Sequence, residues 1–367
     1  MGILIGMDEA GYGPNYGPLV VAATAWEVPD EEPASARTPT LASGASPNLS
    51  PTTTARKPSS STSTDLYKLL RTVVAKKPSE RRIAIADSKA LYSPGLGLGQ
   101  LERGLHAVLH ALEQPISCWS AMIEYCGADT DGHHKTACWP EAFDCQLPVD
   151  AVADELQRLA DRVARACENA GVRPLVIRAR LIYPAQFNDL VDQHGTKGAA
   201  LSHITVGLLR EVVDSLEPSP SERGQGGGIF SPAPSPQPQA SIFAVCDKHG
   251  GRNFYAALLQ HHFSEHWIEP IYESRAESRY EWGSPESRTQ VAFRMNGERF
   301  LPTALASMTA KYLRELSMRA FNEFWSAHVP DLRPTAGYPN DARRFRKDIA
   351  AKQRELKIDD RVIWRNR

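Results

Sequence analysis

Two carboxylates, Asp8 and Glu9, stand side by side where a short apolar run ends in GILIGMDEAGYGPNYGPLVV. Adjacent like charges at the buried end of a strand repel each other and lose hydration, so the placement implies a cation or a reaction that uses them. Two further acids repeat the pattern: Asp247 ends the apolar run of SIFAVCDKHGG ahead of glycines, and Glu298 follows the glycine of VAFRMNGERF. Together they offer hard oxygen donors suited to Mg²⁺ or Mn²⁺ rather than zinc. Two such ions about 3.5–4 Å apart can hold the attacking and the leaving oxygen of a phosphodiester, one of them generating the hydroxide. Without metal, at least one carboxylate should hold its proton above the usual range because its neighbours carry the same charge.

Side chains alternate along a regular strand, so Asp8 and Glu9 share one site only if the backbone departs from regular geometry there. Gly11 and Gly13, followed by Pro14, are expected to supply that departure, and successive N–H groups in such a turn form a concavity for anions. A plain tight hairpin with surface acids is the alternative. Apolar alternation and β-branching predict strands over Ile3–Met7, Leu19–Val28, Arg82–Ala86, Ile116–Glu124, Pro174–Ile182, Ser241–Cys246 and Arg288–Arg294. Spacings of three and four predict helices over Asp65–Val74, Gln100–Leu112, Asp150–Ala170, Gly198–Leu216, Asn253–His262, Leu301–Ala327 and Asp341–Leu356. Strands alternating with helices, opened by a hairpin, imply an α/β fold with a mixed β-sheet flanked by helices.

The chain has 367 residues, 42% of them hydrophobic, and a formal net charge of −1, so any polyanionic partner must be held by a local patch. Six scattered cysteines without a CxxC pair suit a reducing, cytoplasmic setting; Cys118 to Cys145 with His133 and His134 fits no common zinc spacing. The apolar stretch LVVAATAWEV is too short to cross a bilayer. Two Ser/Pro-rich inserts, about 29–64 and 217–240, are expected to be disordered because they cannot bury enough surface to offset their ordering entropy. The expected organisation is one catalytic domain over 1–330, a helical basic extension over 331–367, and a monomer.

The stretch IGMDEAGYGPNYGPLVVAA resembles the DEAGRGPxxGPVVAA opening of type 2 ribonucleases H, that is, ribonuclease HII and its archaeal and eukaryotic catalytic-subunit relatives. IADSKAL is similar to their DSKxL segment, AVCDKHGG to their strand-Asp-xx-Gly segment, LASMTAKYLREL to AASIxAKVxRD, and TAGYPNDARRF to the GYPxD segment. The resemblance implies a ribonuclease-H-like fold and a two-metal endonuclease. Such an enzyme cuts the RNA strand of an RNA/DNA hybrid, or a single ribonucleotide in duplex DNA. It implies metal-binding roles for Asp8, Glu9 and Asp247, with Glu298 as the fourth acid where the family has Asp, and Glu315 as second choice. It implies backbone readout of the substrate by Gly11, Tyr12 and Gly13, sensing of the junction sugar by Tyr338, and phosphate contacts by Lys89, Ser307 and Lys311.

Tyr12 stands where the family has arginine, which removes that side chain's bond and charge and leaves substrate choice open. Lys89 and Lys311 also read as ordinary surface lysines, and His249 beside Asp247 as a proton carrier or a satisfied core histidine. Arg343, Arg344, Arg346 and Lys347 read as a duplex-holding patch or a solvated helix face, and Trp364 as packing. Two alternatives stand beside the ribonuclease reading: a catalytically degenerate relative that binds nucleic acid, and a nuclease of other substrate specificity.

Overall fold

A computed structural model describes residues 1–29, 64–128, 138–139, 143–216, 240–285 and 287–366. Both Ser/Pro-rich inserts, and the His133–His134 pair, lie almost wholly outside these residues. The strands are β1 (Gly2–Ala10), β2 (Leu19–Val28), β3 (Val74–Ala75), β4 (Ile83–Ala84), β5 (Arg173–Ile182), β6 (Ser241–Asp247), β7 (Glu269–Glu273), β8 (Glu277–Trp282) and β9 (Thr289–Arg294). The helices are α1 (Leu66–Leu69), α2 (Ser88–Leu91), α3 (Gly99–Ala111), α4 (Trp119–Cys126), α5 (Ala153–Ala170), α6 (Pro184–His194), α7 (Lys197–Leu216), α8 (Ala256–His262), α9 (Leu301–His328), α10 (Pro339–Glu355) and α11 (Asp360–Ile363). None of them is long and apolar enough to cross a membrane.

Seven strands form one mixed sheet in the order β5-β2-β1-β6-β9-β8-β7, and β3 and β4 form a short ladder of their own. The β1–β6 and β6–β9 pairs are parallel, whereas β2, β5, β8 and β7 join antiparallel on the two flanks. Strand pleating sends Leu4, Val20, Ala22 and Trp26 to one face, where they pack with α3, α4, α5, α9 and α10. Ile3, Ile5, Met7, Val21 and Ala23 point to the other face, against α6, α7 and α8. The sequence-predicted α/β layering and the opening antiparallel hairpin are what the structure shows.

The central helix α9 is locked to the sheet at its first turn. Pro302 stands in that turn, where a missing N–H costs nothing. Thr24 Oγ1 donates to the Pro302 carbonyl (2.8 Å), and Thr303 Oγ1 donates to the Val245 carbonyl (3.0 Å). Gly6 lets this turn lie directly on β1: a Cβ there would stand 1.9 Å from Thr303 N and 2.1 Å from the Pro302 carbonyl carbon. Backbone cannot rotate away as a side chain can. Gly6→Ala is therefore expected to cost about 3 kcal/mol or more, at or beyond the usual range for overpacking. Urea unfolding of the two proteins measures the difference.

Three sequence expectations are corrected. Ile116–Glu124 is not a strand; Trp119, Met122, Ile123 and Cys126, all buried, recur at helical spacing and form α4. Asp65–Val74 yields only the single turn α1, with Asp65 as its cap, before the chain extends into β3. The strands β7 and β8 and the helix α6 were not expected. The C-terminal helices pack into the main core: Phe345, Ile349 and Ile363 are fully buried in it, Arg365 N donates to the Asn15 carbonyl (2.8 Å), and Trp364 bridges to Tyr16.

Candidate active site

β1 and β6 run parallel with Met7 level with Cys246, so the acids that follow, Asp8 and Asp247, emerge together at the end of the ladder. The backbone of β1 does not break there. Its pairing with β2 continues regularly through Asp8↔Ala22, Glu9↔Val21 and Ala10↔Val20, and Gly11, with φ +87°, turns only afterwards. Asp8 thus shares the α9 face with Ala22, while Glu9 leaves the pleat toward the face of Val21. The two acids straddle the rim of the sheet instead of lying on one face. Glu9 is still near enough to Asp247 to feel its charge.

The electrostatics show the convergence. Burial pushes the Asp8 carboxyl well above the ordinary carboxylate range, and the charges of Glu9 and Asp247 push it further; a hydrogen bond from Ser307 opposes them. Burial, then the charge of Asp247, pushes Glu9 up to about 7, and the Lys89 ammonium pulls it partly back. Asp247 is raised chiefly by burial and by Glu298; Gly297 N donates to its Oδ1 (3.0 Å) and holds it in place. That bond fixes the short turn Gly297–Arg299 beside Asp247, which brings Glu298 to the cluster. Among the described residues none of these four acids forms an ion pair within 4 Å.

A set of carboxylates without thiol or imidazole, with Asp8, Glu9 and Asp247 raised by burial and by nearby like charge, fits hard divalent cations. Asp8, Glu9, Asp247 and Glu298 are the residues that would hold them. The acids are not among the sets of three donors lying within 4.8 Å of one another in the described residues. A pair of ions about 3.5–4 Å apart needs a ligand set wider than one ion does.

Other expected residues divide into those at the rim and those tied up elsewhere. Lys89 is exposed at the first turn of α2, whose N-cap Asp87 accepts from Lys89 N (3.0 Å). Ser307 Oγ lies 3.1 Å from Ser88 Oγ, so α2 and α9 meet just behind Asp8. Glu315 is not brought to the cluster. It lies two turns beyond Ser307 on α9, about 12 Å along the axis, and accepts from Tyr92 OH (2.7 Å), Lys311 Nζ (2.7 Å) and Arg314 Nη1 (3.2 Å). These partners hold its carboxyl below the usual range. Lys311 is spent on this pair and on the Tyr92 ring beneath it. His249 is a satisfied core histidine: buried, its Nδ1 3.0 Å from Ser202 Oγ, and pushed down to about 3 by burial.

The glycine turn is joined to the C-terminal segment by backbone. Asn15 N donates to the Gly337 carbonyl (2.7 Å), and a Cβ on Gly337, φ +81°, would strike the Tyr16 carbonyl at 2.5 Å. Tyr338, next in the chain, stands half exposed with its ring edge against Gly13. Burial raises the phenol of Tyr12, the charge of nearby Glu9 raises it further, and Lys197 Nζ lies 5.4 Å from the ring centre. Two arginines lie beneath this turn. Buried Arg365 donates through Nη2 to the carbonyls of Gly11 and Pro14, and Arg314 packs against Gly11 while donating to the Ala336 carbonyl (2.9 Å).

Of the expected basic patch, Arg344 is spent on structure, donating to Asp341, Asp348 and the carbonyls of Arg333 and Pro334. Arg346 pairs with Asp360 and covers Trp364. Arg343 is exposed and donates to Asn340 Oδ1 (2.6 Å) on its own helix. Arg365 and an exposed Phe254 escape sequence reasoning; Phe254 adjoins Asn253 at a cleft of about 480 Å³ that runs from Asp247 past Gly250, Gly251, Arg275 and Asn296.

No protein-family model matches the chain, and no curated protein matches it. Among solved structures, the ribonuclease H2 of Pyrococcus horikoshii OT3 aligns at 12% identity over 98% of this chain and 92% of that one, with a TM-score of 0.41. A chain of the PCNA:RNase HII complex from Archaeoglobus fulgidus aligns at 12% identity over 100% and 94%, with a TM-score of 0.38.

Proposed function

We propose that the chain is a divalent-metal-dependent endonuclease that cuts the RNA strand of an RNA/DNA hybrid, or a single ribonucleotide in duplex DNA. The observation that carries the reading is the emergence of Asp8 and Asp247, from distant parts of the chain, side by side at the end of the β1–β6 ladder with Glu9 next to Asp8, all three carboxyls raised first by burial and then by nearby like charge. The motif order set out above supplies the substrate class. When bound, Mg²⁺ or Mn²⁺ supplies Lewis-acid polarisation and charge neutralisation for phosphodiester hydrolysis.

The chain's own groups do the rest. Asp8, Glu9 and Asp247 give up their protons to hold the cations, with Glu298 as the fourth carboxylate, and Gly297 N and Ser307 fix the directions of Asp247 and Asp8. Lys89, exposed beside Glu9 and Asp247, offsets phosphate charge. The turn of Gly11 and Gly13 lets a nucleic-acid backbone approach, over the buried cations of Arg314 and Arg365, and Tyr338 offers a ring on which a sugar or base can rest.

A panel of duplexes with no, one or several ribonucleotides, incubated with Mg²⁺ or Mn²⁺, tests the reading. Cleavage confined to the ribonucleotide-containing strands is expected. Binding without cleavage of any member leaves a nucleic-acid-binding relative instead, and cleavage of all-DNA duplex leaves another nuclease. Tyr338→Ala is expected to weaken duplex affinity about 5- to 100-fold, the worth of one stacked aromatic. Fluorescence anisotropy with a labelled duplex, in Ca²⁺ to suppress cutting, measures it.

A further inference from the structure

Away from the acids, on the other face of the sheet, three histidines meet between α7 and α8. His203 stands on α7, and His261 and His262 end α8. One ring nitrogen from each lies within 4.8 Å of the other two. His203 Nδ1 and His262 Nε2 are 3.2 Å apart, close to the about 3.3 Å that separates two ligands of a tetrahedral ion bound at 2.0–2.1 Å. The His261 ring stands nearly perpendicular to both of its neighbours, with centroids 5.4 Å from His203 and 5.1 Å from His262.

The surroundings place these rings. Gly207, one turn after His203, leaves room for the His262 ring, whose Cε1 lies 3.5 Å from where a Cβ would be. Arg210 donates to the His262 carbonyl (3.2 Å) and pairs with Asp214 and Glu265, fixing the end of α8 to α7. A fourth imidazole, His194 at the end of α6, stacks on His203 at 4.0 Å and fixes its plane. Burial and the neighbouring imidazoles hold His203 down to about 4 and lower His262, so both are neutral with lone pairs available near pH 7; Arg252 acts in the same direction and opposes a bound cation.

We propose that His203, His261 and His262 form a transition-metal site of the zinc class that clips α8 to α7. Imidazole suits Zn²⁺, Co²⁺, Ni²⁺ and Cu²⁺ and not Mg²⁺ or Mn²⁺, so the site is chemically separate from the carboxylate rim. It stands independently of the nuclease reading. His261 is exposed, so one position stays open to water or a small anion. Because α8 follows the loop after Asp247, the clip steadies that loop from its far end.

The test uses full-length protein without a polyhistidine tag, stripped with chelator and titrated with Zn²⁺ alone by calorimetry, and with Co²⁺ by visible absorption. One saturable equivalent, intense tetrahedral-type Co²⁺ bands and a raised Tm with Zn²⁺ are expected. The Asp8→Asn/Asp247→Asn protein keeps that equivalent. His203→Asn and His261→Asn are each expected to weaken binding at least 10-fold and abolish the Tm rise. Should His203→Asn fail to fold by circular dichroism, the exposed His261→Asn decides. No saturable equivalent, or one that survives the His261 change, overturns the site and leaves an ordinary hydrogen-bonded histidine cluster.

Discussion

Asp8→Asn is expected to lower metal-dependent cleavage by at least about 10³-fold, comparable to the largest losses from removing one stabilising group in an active site. The change keeps the side chain's shape and its reach to Ser307 but removes the charge that would hold a cation. Asp8 is the most deeply buried of the acids by its setting against α9, and Glu9 and Asp247 both act on it. A neutral amide is easier to bury there than a carboxylate, so the loss cannot be ascribed to unfolding if the metal-free variant melts at or above the parent temperature at pH 8. Glu315→Gln supplies the contrast: a carboxylate tied to Tyr92, Lys311 and Arg314 should leave single-turnover cleavage within about threefold of the parent. Equal cleavage by Asp8→Asn and parent would remove the assignment.

What could be read from the sequence follows from the range of the forces. Strand β1 and the acids at its end were legible because burial on both sheet faces writes a continuous apolar run, and a charge that ends such a run is conspicuous. The antiparallel β7 and β8 were missed although Ser278, Tyr280 and Trp282 alternate inward; their outward Glu277, Arg279 and Glu281 made the stretch look like a solvated loop, and the pairs of Glu277 with Arg294 and of Glu281 with Arg288 exist only once those arginines lie alongside. The α4 segment misled because ISCWSAM has both periods. At the site, glycines pointed to a break in β1 that the structure puts three residues later. Arg365 had no local signature at all: its role depends on the chain end threading beneath a turn that begins at Gly11. The histidine cluster is likewise a product of helix packing, with no spacing to announce it.

The second large effect lies in the metal-free protein's response to pH. Glu9 has an ordinary value of 4.5 and is pushed up to about 7 in the fold. Between those values the folded protein keeps a proton that the unfolded chain has released, so this group's contribution to stability is present below pH 4.5 and is lost as pH rises to 7. Asp8 and Asp247, also raised, act with the same sign. The lowered histidines His203 and His249 act oppositely, gaining stability up to their ordinary 6.5, so the parent's profile alone mixes the two. Glu9→Gln separates them. The variant's stability relative to the parent should improve by roughly 2–3 kcal/mol between pH 4.5 and 8, measured by urea unfolding in the presence of chelator. Saturating Mn²⁺ should reverse the order at pH 8, because bound cations turn the same carboxylate charge from a repulsion within the fold into a source of stability. A difference that stays flat with pH would mean that Glu9 does not feel Asp247, and the carboxylate rim would not be one site.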